Sequence, residues 1–171
     1  WLPGSALSVG SVPLPVSPSA AASSSLAQAQ LGNFLNATNQ HILGTGLNSA
    51  YEITMVTGIP YTGTSSGTAA FFSFDSTGSP NFFEVYWDPS KDANALAGTG
   101  YNNGTLILSG IVTSGSANFL LTNPAAANLD NYGTDNYPAI DTVSGVGGSD
   151  IAVQVVYADP AFFPSQLPET L

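Results

Sequence analysis

Short runs of alternating apolar and polar residues, separated by turn-forming residues, dominate the chain from residue 48 onward. Tyr51, Ile53 and Met55 alternate with Glu52 and Thr54. Successive side chains of a strand point to opposite faces, so this spacing predicts strands with one buried face. Similar or continuous apolar runs occupy residues 68–75, 83–87, 105–113, 117–121 and 151–157. Together they predict an all-β fold, and we expect an antiparallel β-sandwich of the jelly-roll or immunoglobulin-like kind, with a barrel-like sheet as the alternative.

The segments between these runs predict turns, loops and at most one short helix. Ser114-Gly115-Ser116 indicates a hairpin between the runs 105–113 and 117–121. Residues 88–104 and 122–149 are expected to form two long loops. Residues 20–35 are the one plausible helix, because their larger apolar residues recur at helical spacing, with a strand through residues 31–42 as the alternative.

The first 25 residues predict an extended arm ahead of a single sandwich domain of residues 26–171. Four prolines exclude a helix here, and Val12, Leu14 and Val16 alternate with two of them on one face of an extended strand. An isolated segment of this composition would be disordered, so we expect it to dock on its own domain or on a neighbouring copy. As a donor strand, its predicted subunit contacts are Leu7, Val9, Val12, Leu14 and Val16.

Charge is scarce and almost entirely negative. The chain has one Lys or Arg residue against 11 carboxylates, for a net charge of −10, and only 7% of its residues are charged. Such a chain cannot neutralise nucleic-acid phosphates or bind an anionic membrane surface, and no apolar run reaches the roughly 18 residues of a transmembrane helix. A surface with few ionic groups is easily desolvated against a copy of itself, which favours an exported, self-assembling protein.

Three stretches resemble a family of exported proteins. NSAYEITMVT at residues 48–57, FFEVYWD at 82–88 and LAGTGYNNGTLILSG at 96–110 resemble PEP-CTERM-type β-rich proteins. That family is associated with bacterial extracellular polysaccharide, flocs and biofilm matrix, and its defining C-terminal sorting tail is absent from this sequence. The resemblance implies a surface or matrix role and no known active residues.

Two acidic loops could supply oxygen ligands to a metal. Asp88, Asp92 and Asn94 lie in one, and Asp130 and Asp135 in the other. Calcium takes six to eight oxygen ligands, which carboxylates, amides and backbone carbonyls provide. With no cysteine and a lone His41, a zinc site has too few ligands. We expect no organic cofactor, and a structural Ca²⁺ is the ion that these loops fit.

The sequence has no catalytic signature, and a hydrolase that uses a pair of carboxylates among Asp88, Asp92, Asp130 and Asp135 ranks last among the alternatives, because the sequence does not show which two lie close together. Gly63-Thr64-Ser65-Ser66-Gly67 matches the nucleophile-elbow pattern, but that chemistry needs a strand leading into a helix and a histidine base. We therefore predict a non-enzymatic, secreted or cell-surface structural subunit of a filament, sheath or biofilm matrix that forms a homopolymer by donor-strand complementation. The alternative is a carbohydrate-binding module for extracellular polysaccharide, with surface recognition by Tyr101, Tyr132 and Tyr137.

Overall fold

The computed structural model describes residues 6–9, 19–66, 68–95, 97–128 and 141–164. Within these ranges the chain is all-β and contains no helix, which confirms the predicted class. It also contains no helix long and apolar enough to cross a membrane. The strands are β1 (Ala6–Val9), β2 (Ser19–Gln30), β3 (Glu52–Ser66), β4 (Ala69–Phe74), β5 (Phe82–Asp88), β6 (Thr105–Asn128) and β7 (Asp141–Ala158).

The helix predicted over residues 20–35 is wrong, because most of that segment forms β2. β2 pairs antiparallel with β3 along its whole length, from Ser19 opposite Ser65 to Gln30 opposite Thr54. Helical spacing of a few apolar residues is a weak signal, and the continuous ladder with β3 outweighs it.

The predicted sandwich is not confirmed. All seven strands within the described residues belong to one antiparallel sheet, and the pairings β3–β4, β4–β6, β6–β5 and β5–β3 close a circuit of four strands. The registers explain this circuit. β5 pairs with residues 52–58 of β3 and β4 with residues 61–66, while β2 runs along the opposite edge of both stretches. β4 and β5 are therefore two parts of one interrupted strand between β3 and β6.

The hairpin predicted at Ser114-Gly115-Ser116 is also wrong. β6 runs straight through these residues from Thr105 to Asn128, and its ladder with β7 places Gly115 opposite Ile151. The register of the β6–β7 ladder shifts at four places, each a bulge or another irregularity. A Gly flanked by Ser is compatible with a strand when the neighbouring backbone lies close, and a Cβ on Gly115 would lie 3.1 Å from the Asp150 carbonyl oxygen.

The hydrophobic core lies at the β5 end of the sheet. Val85, Ile107 and Leu108 form its buried centre. The side chains packed around them are Ile53, Met55, Phe83, Trp87, Val155 and Phe163. Phe163 belongs to the segment after β7, whose backbone bonds to β6 through the Asp159 amide and the Ile107 carbonyl at 2.9 Å. This half of the sheet is therefore covered by its own chain.

The β4 end of the same sheet face carries an open apolar trough of about 480 Å³. Its larger lining side chains are Met55, Ile59, Tyr61, Phe72, Phe74 and Ile151. No charged residue lines it. This face of the sheet is thus covered by its own chain at the β5 end, and it is uncharged and partly open at the β4 end.

The N-terminal arm begins on the sheet of its own chain. β1 pairs antiparallel with β2, with Leu7 opposite Leu26 and Val9 opposite Ser24. The boundary predicted between arm and domain, after residue 25, falls inside β2. The other predicted donor residues, Val12, Leu14 and Val16, lie outside the described residues.

Candidate functional site

Two buried carboxylates face each other at the end of the β3–β5 ladder. Glu52 begins β3 and Asp88 ends β5, and the two residues are paired in register. Their exposed fractions are only 1% and 3%. The more exposed Asp92 follows in the next loop, and one carboxylate oxygen from each of the three residues lies within 4.8 Å of the others. We call Glu52, Asp88 and Asp92 the acidic cluster.

Backbone and amide donors fix the two buried carboxylates. Glu52 accepts a hydrogen bond at Oε2 from Gln30 Nε2 at 2.7 Å and one at Oε1 from the Ala93 amide at 3.0 Å. Asp88 Oδ1 accepts one from the Ser90 amide at 2.6 Å. Because β2, β3, β5 and the loop after β5 all contribute, the position of the cluster depends on the sheet rather than on one local motif.

The loop 88–104 folds back on itself around Asp92. Asn103 Nδ2 donates to both carboxylate oxygens of Asp92 at 3.1 Å. Gly100 adopts a φ of +81°, and a Cβ there would lie 2.5 Å from Asp92 Oδ1. Only glycine allows both this left-handed conformation and this close approach. The loop predicted for this segment is confirmed among the described residues. The hydrogen bonds from Asn103 and the close approach of Gly100 explain the position of Asp92.

Tyr101 closes the site from the side of the loop. Thr54 Oγ1 donates to the Tyr101 carbonyl oxygen at 2.8 Å, and the side chain of Tyr101 is only 4% exposed. Burial, and then the negative charge of Glu52, raises the pKa of the Tyr101 hydroxyl. The surface-recognition role predicted for Tyr101 does not fit this position, because a buried ring cannot stack on a ligand from solvent. Tyr132 and Tyr137 lie outside the described residues.

The acidic cluster has the donor chemistry of a hard-cation site. Three carboxylates with oxygens this close repel one another, and a divalent cation relieves that repulsion. All the donors are oxygens, which suits Ca²⁺, an ion that binds oxygen ligands at about 2.3–2.6 Å. The single lysine, Lys91, lies next to Asp92 in sequence, and its Nζ donates a hydrogen bond to the Ser49 carbonyl oxygen at 2.7 Å.

The structure brings together two of the five predicted metal ligands. Asp88 and Asp92 belong to the acidic cluster. Asn94 turns its side-chain oxygen to the Ala97 amide at 3.0 Å, within its own loop. Asp130 and Asp135 lie outside the described residues.

Sequence reasoning missed Glu52 as a member of the cluster. Its place between Tyr51 and Ile53 indicates the polar face of a strand, which ordinarily faces solvent. The available signal was a carboxylate at the start of one strand and another at the end of a second, but it becomes visible only once the β3–β5 register is known. No family model, no curated protein and no solved structure matches the chain.

Proposed function

We propose that the protein is an extracellular structural subunit that assembles with copies of itself by strand addition. In this assembly β1 of one copy occupies the outer edge of β2 in the next copy. The observation that carries the proposal is the antiparallel register of β1 on β2, from Ala6 opposite Ala27 to Val9 opposite Ser24. The same register serves within one chain or between two, because exchanging an identical element preserves every contact.

β2 has the properties of an acceptor edge. It pairs with β3 along all 12 of its residues, whereas on its other side, in the part of the chain that the structure describes, β1 pairs with the stretch from Ser24 to Ala27 alone. An edge of unpaired backbone groups is a template for an added strand, and its ladder of hydrogen bonds gives direction to the assembly.

The connection between β1 and β2 favours exchange over a closed hairpin. Hairpin loops usually contain two to five residues, whereas nine residues, 10–18, join these strands, and three of them are proline. Proline-rich sequences favour extended conformations of about 3.1 Å per residue, so nine residues can span about 28 Å.

Charge does not oppose this pairing, although the chain carries a net charge of −10. Neither β1 (ALSV) nor β2 (SAAASSSLAQAQ) contains a charged residue. Donor and acceptor therefore meet without like-charge repulsion and without desolvating an ion. A matrix role also agrees with the resemblance to PEP-CTERM-type exported proteins, and the structural role needs no catalytic group.

Proline at two adjacent positions of β1 is expected to abolish strand addition through β1. In an antiparallel pair only alternate residues direct their amide to the partner, so a Leu7→Pro/Ser8→Pro variant removes at least one ladder donor whichever way β1 faces. Analytical ultracentrifugation of the full chain should show a concentration-dependent series of oligomers. We expect the proline variant to lose that series and retain its β-sheet circular dichroism.

The matched control is Leu7→Ile/Ser8→Thr, which changes the same two positions but keeps an apolar side chain at residue 7 and both amides. It should assemble as the unmodified chain does. Strand addition through β1 would be ruled out if the proline variant and this control formed the same oligomers, or if the unmodified chain remained a monomer at all concentrations.

A further inference from the structure

We propose that the outer edge of β7 pairs antiparallel with the same edge of a second copy, around a two-fold axis at Val153. β7 is the edge strand on the opposite side of the sheet from β1, so this interface is independent of the strand addition proposed above. Its partner is a second copy of this chain, and its contacts are the backbone groups and side chains of residues 151–155.

The backbone of β7 directs one set of hydrogen-bonding groups away from the sheet. Within the described residues β7 pairs with β6 alone. The Ala152 carbonyl points to β6, where it accepts a hydrogen bond from Thr113 Oγ1 at 3.3 Å. The Gln154 carbonyl also lies against β6, beside Gly110. Since strand residues alternate in direction, the amides and carbonyls of Ile151, Val153 and Val155 face the open edge.

This edge lacks the devices that usually block edge-to-edge pairing. Residues 151–158 (IAVQVVYA) contain no charged residue and no proline, whereas natural edge strands are usually interrupted by lysine, proline or a bulge. One bulge is present, because Ser109 pairs with Tyr157 and Gly110 with Val155, which leaves Val156 between them. The regular, unprotected edge therefore ends at Val155.

The sequence of this edge is complementary to itself when two copies meet at Val153. Ile151 of each copy then lies opposite Val155 of the other, and Val153 lies opposite its own copy. Ile151 lines the apolar trough and Val155 packs on the hydrophobic core of its own chain. Ile151 and Val155 lie on the same face of the sheet. The new pairs between them therefore extend the apolar trough and the hydrophobic core across the interface, and apolar cross-strand pairs of this kind are favourable.

The charge of Asp150 favours a two-fold axis at Val153 over the nearest alternative, an axis at Ile151. Asp150 is the one charged residue between residues 145 and 158. With the axis at Val153, the two copies of Asp150 lie about 20 Å apart along the strands, beyond the screening length of about 8–10 Å. With the axis at Ile151 they would be diagonal neighbours about 7–8 Å apart and would repel. Because the chain has a net charge of −10, a register that keeps the two copies of Asp150 this far apart favours pairing with a second copy.

A single introduced thiol tests the register, because the chain contains no cysteine. In the proposed pair, the two copies of residue 153 are directly opposite, about 5.5 Å apart between Cα atoms, which is within disulfide range. We expect a full-length Val153→Cys variant to form covalent dimers under mild oxidation. The control Ser149→Cys lies on the same strand and is more exposed, but it faces residue 157 of the partner, so it should cross-link at least tenfold more slowly.

Equal cross-linking rates for the two thiols, or no dimer from Val153→Cys, would overturn the proposal. A second comparison avoids changing a buried residue. Ile151→Lys, at a position 39% exposed, is expected to weaken dimerisation at least tenfold, whereas Val146→Lys adds the same charge at a position 60% exposed outside the paired stretch and should not change it. An equal effect of both lysines would contradict the interface.

The failure of this interface is distinguishable from the failure of strand addition. In the Leu7→Pro/Ser8→Pro background, β1 cannot complete its ladder, yet the β7 edge is unchanged. We expect the Val153→Cys dimer to form in that background at an unchanged rate. Its loss there would overturn the independent β7 interface, even if the unmodified chain still assembled.

Discussion

A Leu108→Ala variant is expected to lose about 2–5 kcal/mol of unfolding free energy, the usual cost of emptying a well-packed core position. Leu108 is 4% exposed and belongs to the buried centre with Val85 and Ile107. It lies where β6 meets β5 and β7, so the cavity would weaken contacts between all three strands. A chain of this size should then melt about 4–20 °C lower, measured by differential scanning calorimetry.

Ile111→Ala is the matched control for this loss. Ile111 lies three residues later on the same strand but is 41% exposed, so its truncation removes much less buried surface. We expect it to cost less than about 1 kcal/mol. If the two alanine variants melted at the same temperature, the hydrophobic core would not be centred on the β5–β6 junction.

Calcium is expected to raise the melting temperature of the protein through the acidic cluster. Binding to the folded state alone stabilises it by about 2.7 kcal/mol when the free ion is at 100 times its Kd. The cause is electrostatic, because a divalent cation would compensate three clustered carboxylates, two of which are nearly inaccessible to water. Thermal denaturation with millimolar CaCl₂, and again after addition of a chelator, measures the effect.

Two single substitutions separate binding at the cluster from general charge screening. Asp92→Asn removes a charge from the cluster at an exposed position, and Asp150→Asn removes the same charge from β7. The calcium-induced shift in Tm should shrink in the first variant and persist in the second. A shift of equal size in both variants, or no shift in the unmodified chain, would show that the cluster does not bind calcium.

Local alternation predicted parts of β3, β4, β5, β6 and β7 but not their full lengths, since residues 122–128 and 141–149, expected in a loop, belong to β6 and β7. Ile53, Met55, Phe83 and Val85 were expected on strands, and they lie on β3 and β5 with their side chains on the core. Such runs are informative because burial on one face of a strand imposes a period of two. The β6 segment was predicted as two strands because Ser114-Gly115-Ser116 is a common turn sequence, but 24 residues of ladder override that local preference.

Features that depend on pairing could not be predicted from local sequence. The sandwich was expected because the sequence shows six short strands separated by turns rich in Gly, Ser and Thr. In the structure one sheet has its β5 end covered by the segment around Phe163, while the trough at its β4 end stays open. The composition of the acidic cluster also depends on strand pairing. Asp88 and Asp92 are close in sequence and were predicted together, whereas Glu52 joins them only through the β3–β5 register.

The two proposed interfaces would combine into an extended assembly. Exchange of β1 is directional, because a donor on one copy meets an acceptor on the next, and such heterologous contacts propagate as chains or close as rings. The β7 pair is symmetric and joins two copies only. Chains made by the first contact and joined side by side by the second would form a sheet or a bundled filament, which suits a matrix or sheath protein.

Exchange of β1 between copies can be measured directly with two single-cysteine variants. Leu7→Cys and Leu26→Cys are purified separately, mixed at equal concentration, unfolded and refolded together, and oxidised, since residues 7 and 26 are opposite each other in the β1–β2 register. Strand addition predicts a disulfide-linked heterodimer, identified by mass spectrometry of the joined peptides. If the mixture gives no such heterodimer, while a Leu7→Cys/Leu26→Cys double variant forms its disulfide entirely within monomers, β1 docks only on its own chain and the proposed assembly is wrong.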